Sequence, residues 1–434
     1  MKPDSAPSQP RRWLILSHGF NMDGRAASLT VTDKIPHLMH AGIEPIVISA
    51  VTGARDQRFP HYQILPWGPA GLRFDLRHSI AQRWGRGVVY RITTGLISLL
   101  LALPILLERL LLGWQQYWSW MPAAVFRGWL CIRRFRPELI YTSGGAYSAH
   151  WAGYWLARLT GLPWIAEVHD PMVFPGSSPR TRNQKRWARI EAMICSRATL
   201  AWWFTDEALA GARRRHPELG ARGVVILPGA EPPAVRADYR PGAHCVLAHF
   251  GSLSDSRSLV PAIQALLRLR AAAVTGADAV VIDCYGGAID ASARRLIGEQ
   301  GLGEVVRAHG RLEADPASGL SGRARIQALM HQADALLLVH GNTVECPEYI
   351  PSKFYDYLWA GRPVVALVHH NPQLSALVEA HGGYQAEVED DAQVQAMLSR
   401  LLQDWRAGTL KRGPLPPIGV DRAVRELLEH LERD

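Results

Sequence analysis

Short apolar runs recur along this chain, separated by stretches of helical pattern. Arg12–Ser17 (RWLILS), Pro45–Ser49 (PIVIS), Leu139–Thr142 (LIYT), Trp164–His169 (WIAEVH), Ala198–Trp203 and Val224–Leu227 read as strands. Helices are expected from the loop at His18–Gly24 to about Ala41, over about Ser148–Thr160 and over a basic segment at about Arg180–Ser196. Strands separated by helices of about 10–15 residues are βαβ units of a parallel sheet. The segment Pro228–Gly242 carries four prolines and two glycines and reads as a linker. Beyond it the alternation restarts with Cys245–Phe250, Ala279–Tyr285, Val305–Ala308, Ala335–Val339 and Val364–Leu367 as strands. Two amphipathic stretches, near 392–405 and 421–432, end the chain. The expected fold class is α/β. It comprises two Rossmann-like βα domains, residues 1–230 and 231–415, and a C-terminal helix within 416–434.

A length of 434 residues suits two domains, and 48% hydrophobic with 20% charged residues is a globular composition. That excludes a disordered or collagen-like chain. The formal charge of +9 calls for a negatively charged partner. Cys131, Cys195, Cys245, Cys284 and Cys346 are at least 39 residues apart, so they form no CxxC motif. Buried thiols in a reducing compartment are expected. Met1–Pro10 is polar and proline-rich, unlike a secretory signal, and a cytoplasmic origin is expected.

Residues 92–126 contain only two charges, Glu108 and Arg109. The first part, Ile92–Leu107, is shorter than the roughly 20 residues a spanning helix needs, and Pro104 interrupts it. Trp114, Tyr117, Trp118 and Trp120 follow, a composition typical of a membrane–water interface. Ten arginines and two acids lie between Arg73 and Arg136. Basic residues around an apolar, Trp-rich segment suit an anionic leaflet. The pattern favours an insertion at about 73–136 that contacts a membrane, over a pair of buried helices or a spanning hairpin. It also favours membrane over nucleic acid, since the charge does not line a polar groove.

P-loop, GxSxG and HExxH motifs are absent, and no acidic pair is placed to hold a metal. Glu389–Asp391 is expected to cap a helix. The informative segment is ECPEYIPSKFYDYLWAGRPVVAL, Glu345–Leu367. Ser352 is the expected N-cap of a helix with Lys353 in its first turn. Free N–H groups, the positive dipole end and the lysine charge together make an anion site suited to a diphosphate. Glu348 and Asp356 are carboxylates suited to paired sugar hydroxyls. Loops after strands, at Gly24-Arg25 and at His249-Phe250-Gly251-Ser252-Leu253 with Arg257, fall at the carboxyl edges of parallel sheets, where ligands bind.

With these motifs, the chain resembles the retaining GT-B glycosyltransferases of the family-four type. The resemblance runs from His18–Ala27 through LIYTSGGAYSAHWAGYWLARLTGLPWIAEVHDP (Leu139–Pro171), HFGSLSDSR (His249–Arg257) and GRL (Gly310–Leu312) to PSKFYDYLWAGRPVVAL (Pro351–Leu367). It implies a nucleoside-diphosphate sugar donor, of UDP or GDP type, held mainly by the second domain, and an acceptor held mainly by the first. Gly24, Gly251, Ser252, Arg257 and Lys353 would face the diphosphate. Asp356, Arg311 and Leu312 would face the nucleoside. Asp356 stands where the family usually has Glu, one methylene longer. Glu348 matches the earlier acid of the family's pair and would touch the donor sugar, although YIPSKFY replaces the usual glycine-containing spacing between the acids. His169 and Asp170 would lie near the reacting sugar. The resemblance implies no cofactor and no metal. In such enzymes the leaving diphosphate can itself take the acceptor proton, and domain closure would exclude water. The sequence therefore reads as a peripheral membrane glycosyltransferase acting on a lipid-linked or envelope glycan at the cytoplasmic face, in polysaccharide biosynthesis. A sugar-nucleotide epimerase and a non-catalytic scaffold of the same fold are the alternatives.

Overall fold

The computed structural model describes residues 11–22, 25–85, 87–113, 116–313, 315, 317–410, 413 and 415–433. Two compact units are formed, residues 1–227 with 423–434, and residues 228–422. The end of the last helix, Val420–Glu432, thus groups with the first unit.

The first unit contains β1 (Arg11–Leu16), β2 (Ile43–Ala50), β3 (His61–Ile64), β4 (Leu139–Ser143), β5 (Trp164–Val168), β6 (Leu200–Trp203) and β7 (Gly223–Val225). They pair in the order β3-β2-β1-β4-β5-β6-β7, every pair parallel. The expected strands are present, and β3 is an addition to them. The expected single helix after the first loop is two helices, Ala26–Thr32 and Lys34–His40. Trp13, Trp164, Trp202 and Trp203 are buried, as sheets covered on both faces require.

The second unit contains β8 (Cys245–Gly251), β9 (Val280–Gly286), β10 (Val306–Gly310), β11 (Ala335–Val339), β12 (Val364–Val368) and β13 (Tyr384–Glu387). The order is β10-β9-β8-β11-β12-β13, again all parallel. All five cysteines are free and buried. Asp390 caps the helix Asp391–Arg406, accepting from the amides of Ala392 and Gln393.

The apolar insertion forms helices Val88–Leu100 and Ala102–Leu111, bent 51° apart. Among the described residues no single helix is long and apolar enough to cross a membrane; only this bent pair qualifies, taken together. The helices are not core: Leu99 is 74% exposed and Leu111 79%, and Ile92, Leu96, Leu103 and Leu110 are also exposed. The buried-helix alternative therefore fails for these two helices, but holds for the part of the segment from Trp118 on. The Trp cluster behaves in the opposite way. Trp118 and Trp120 are buried in the first unit's core and are no interfacial belt, while Trp114 lies outside the described residues. A chain of tryptophans reads the same whether its rings face lipid or protein, and here the helix Trp120–Phe135 packs on the sheet.

Glu108 anchors this hairpin. It is buried and accepts from the amide of Ala70 (2.8 Å), near the start of the helix Pro69–Trp84. Burial raises its pKa. At the other end, Arg186 donates to the carbonyls of Leu112 (3.2 Å) and Gly113 (3.3 Å). A second apolar surface is an open groove of about 640 Å³ lined by Trp67, Met121, Phe126, Trp129, Trp155 and Leu159.

Candidate active site

In the second unit the strand ends build a cationic pocket edge. β8 ends at Gly251, whose φ of +124° is a glycine conformation. A Cβ there would lie 2.9 Å from Nζ of Lys353. Gly286, which ends β9 with φ +137°, approaches so closely that a Cβ would fall 2.3 Å from the carbonyl oxygen of Gly251. These two glycines let the β8 and β9 turns pack together and leave room for the amine.

Lys353 is the first residue of the helix Lys353–Ala360. Ser352 holds the N-cap position, but its backbone is helical and its hydroxyl makes no capping bond. Lys353 Nζ reaches back to His249 Nε2 at 3.4 Å. Burial, together with the Arg257 guanidinium, pushes its pKa down to about 7. The exposed Arg257 guanidinium lies over the Tyr349 ring, 5.5 Å from its centroid. Gly251, Arg257 and Lys353 are thus brought together, and Ser252 is exposed beside them. An anion here would meet two cations in a partly desolvated setting, where charge attraction is strong.

Glu348 is 1% exposed, in the loop before the helix. Asn371 holds that loop, its amide donating to the carbonyls of Cys346 and Tyr349, both at 2.9 Å. Asp356 lies apart, lining a small recess with Glu231, Gln327, His331 and Trp359. Arg311 is exposed and Leu312 half-buried just beyond β10. Gly24 lies outside the described residues.

An aromatic column at this edge was missed in the sequence. Phe250, Tyr285 and His309, near the ends of β8, β9 and β10, stack in turn with centroids 4.9 and 4.5 Å apart. His309 and Arg307 both bind Asp283, at 2.8 and 2.6 Å. Period-two spacing along β9 (Asp283, Tyr285) and β10 (Arg307, His309) is the signal that could have found it. The half-exposed end of such a column offers a face for a nucleobase.

In the first unit, His169 follows β5. Its Nε2 lies 3.0 Å from Ser143 Oγ and 3.7 Å from Glu167 Oε2, and its ring stacks on Phe204. A Cβ on Gly144 would come within 2.9 Å of that ring. Glu167 is fully buried, accepting from Lys34 Nζ (2.7 Å) and from the Tyr141 hydroxyl. Lys34 and His169 outweigh desolvation and hold its pKa well below the usual carboxylate range. Asp170 is exposed. His18, after β1, is buried 3.3 Å from Asp75 Oδ1 and beside Trp120.

Solved structures share this architecture over nearly the full chain. Sucrose-phosphate synthase from Thermosynechococcus elongatus matches with a TM-score of 0.59 and 14% identity, over 97% of this chain and 94% of its own. A UDP-forming α,α-trehalose-phosphate synthase from Burkholderia vietnamiensis matches with a TM-score of 0.58 and 12% identity, over 98% and 100%. WaaG, a glycosyltransferase involved in lipopolysaccharide biosynthesis, matches with a TM-score of 0.54 and 13% identity, over 96% and 95%.

The fold is GT-B.

No protein-family model and no curated protein sequence matches the chain. At these identities the likeness establishes the GT-B fold alone.

Proposed function

We propose that this GT-B protein is a retaining glycosyltransferase at the cytoplasmic face of a membrane. It moves a sugar from a UDP- or GDP-type donor to a lipid-linked or envelope glycan. The observation that carries this reading is the convergence of Lys353, Arg257 and the Gly251 turn on one sheet edge. As the glycosidic bond to the diphosphate breaks, negative charge grows on the leaving phosphate. A lysine charge, a guanidinium and helix N–H groups already in place stabilise that charge. Glu348 contacts the donor sugar, and the base stacks near His309 and Arg311; Asp356, turned to a separate recess, is not placed at the nucleoside. His169 and Asp170, in the first unit, position the acceptor.

The exposed helices Val88–Leu111 supply the membrane contact, and the basic residues around them suit an anionic leaflet. A sugar-nucleotide epimerase gives no reason for such a surface. The test is to incubate the protein with UDP- and GDP-sugars on liposomes carrying extracted envelope lipids, and to measure free nucleoside diphosphate and labelled lipid. Transfer of label to lipid with release of diphosphate supports the reading. Epimerised donor without acceptor labelling would establish the epimerase, and neither product the scaffold.

A further inference from the structure

The carboxyl edge of the second sheet carries a cluster with no part in the proposed transfer. β12 ends at Val368, and His369 and His370 follow it directly. Glu387 ends the neighbouring strand β13. Among the described residues these three side chains bring potential ligand atoms within 4.8 Å of one another. His369 Nδ1 lies 3.3 Å from Glu387 Oε1, and His370 Nδ1 lies 3.7 Å from Glu387 Oε2.

We propose that His369, His370 and Glu387 form a binding site for a divalent transition-metal ion of the zinc type. The spacing suits such an ion. Ligands about 2.0–2.1 Å from a tetrahedral zinc lie roughly 3.3–3.4 Å from one another, and imidazole with carboxylate is a suitable donor set. Each imidazole already sits 3.3–3.7 Å from one oxygen of the carboxylate, and binding would draw the three ligand atoms, now within 4.8 Å of one another, together. Polar satisfaction points the same way. His369 is 8% exposed, and its Nδ1 and Glu387 Oε1 are both buried without a hydrogen bond. A buried imidazole nitrogen facing a carboxylate oxygen calls for a cation, or a proton, between them. The backbone is shaped to match. His370 has φ +47°, a left-handed conformation uncommon outside glycine. This turn lets two adjacent imidazoles aim the same nitrogen at one carboxylate.

Three protein ligands would leave a fourth tetrahedral position for water. The ion would tie the end of β13 to the loop whose next residue, Asn371, holds the carbonyls around Glu348. Its role is therefore to order that loop.

The test uses tag-free full-length protein, freed of metal with a chelator and titrated with Zn²⁺ by calorimetry. Expected is one ion per chain, with a rise in unfolding temperature as the ion binds the native state. His370→Gly relieves the left-handed strain and so keeps the fold, and Glu387→Gln keeps the side-chain volume. Each variant should weaken Zn²⁺ binding at least roughly tenfold, the lower end of what loss of even an outer-shell partner costs. No saturable binding, or binding that both variants leave unchanged, would overturn the proposal. In the second case the ion sits elsewhere on the protein.

Discussion

Nζ of Lys353 lies 3.4 Å from Nε2 of His249, and the partner is a neutral imidazole. His249 is buried, and desolvation together with Lys353 keeps its pKa well below the ordinary value. Its Nδ1 donates to the carbonyl of Leu337 at 3.0 Å, which leaves Nε2 as an acceptor for the lysine. The amine is thus positioned without being neutralised. Lys353→Ala should weaken UDP or GDP binding by on the order of 100-fold, the scale for one lost donor to an oxyanion. Gly251→Ala should also weaken binding, because its φ of +124° is strained for alanine and a Cβ 2.9 Å from Nζ would push the amine aside. Calorimetry with the nucleotide checks both, and affinity within threefold of wild type would remove Lys353 from the site.

Donor affinity should also depend on pH. Free Lys353 loses its proton near pH 7, and a bound diphosphate favours the charged form. Above pH 7 binding must therefore take up a proton, and affinity should fall by up to tenfold per pH unit. Below pH 7 the lysine contributes no slope. For folding the sign is opposite. A lysine pKa lowered in the native state destabilises the unliganded protein below pH 7, and the penalty lifts as pH rises from about 7 towards 10.5. Lys353→Met should abolish the lysine's part of both slopes, which binding and melting series at pH 6–9 would show.

The hairpin makes a separate prediction. Leu99, Leu103 and Leu110 are exposed, and each leucine buried in lipid is worth roughly 1.5–3 kcal/mol. Replacing all three with Ser should reduce binding to anionic liposomes at least 100-fold while leaving nucleotide affinity intact. Sedimentation with vesicles measures the first and calorimetry the second. Unchanged sedimentation would count against a membrane role for this surface.

Trp120 separates core from interface. Fully buried, it should cost about 3–5 kcal/mol of stability when replaced by Ala, and the protein that remains folded should still bind vesicles. Chemical denaturation gives the first value.

Glu167→Gln should cost about 3–5 kcal/mol by leaving Lys34 charged and buried. The ionised carboxylate contributes stability above its ordinary pKa of 4.5, and that contribution declines as pH falls below it. A melting series from pH 7 to pH 3 should therefore be less steep in the variant.

Much of the fold was legible because parallel strands are near-continuous apolar runs, as in ALLLV and VVALV, with punctuated helices between them. β3 and β13 were missed because HYQI and YQAE are short edge strands without that signature. At the site, Gly251, Arg257 and Lys353 could be found because a glycine turn and a helix start carry local signals. Partners that meet only through the sheet could not. Asp283 meets His309, Lys34 meets Glu167, and His18 meets Asp75, all at long sequence separation. Nor does composition tell a buried tryptophan from an interfacial one, which is why Trp118 and Trp120 read as a membrane belt.

A nucleotide-sugar donor held at the Lys353 edge is probed most directly by calorimetric titration of the wild type and Lys353→Ala with UDP and GDP. One site per chain is expected for one of the two nucleotides, weakened about 100-fold in the variant. Absence of binding by either nucleotide, or equal binding by wild type and variant, would contradict a donor site there.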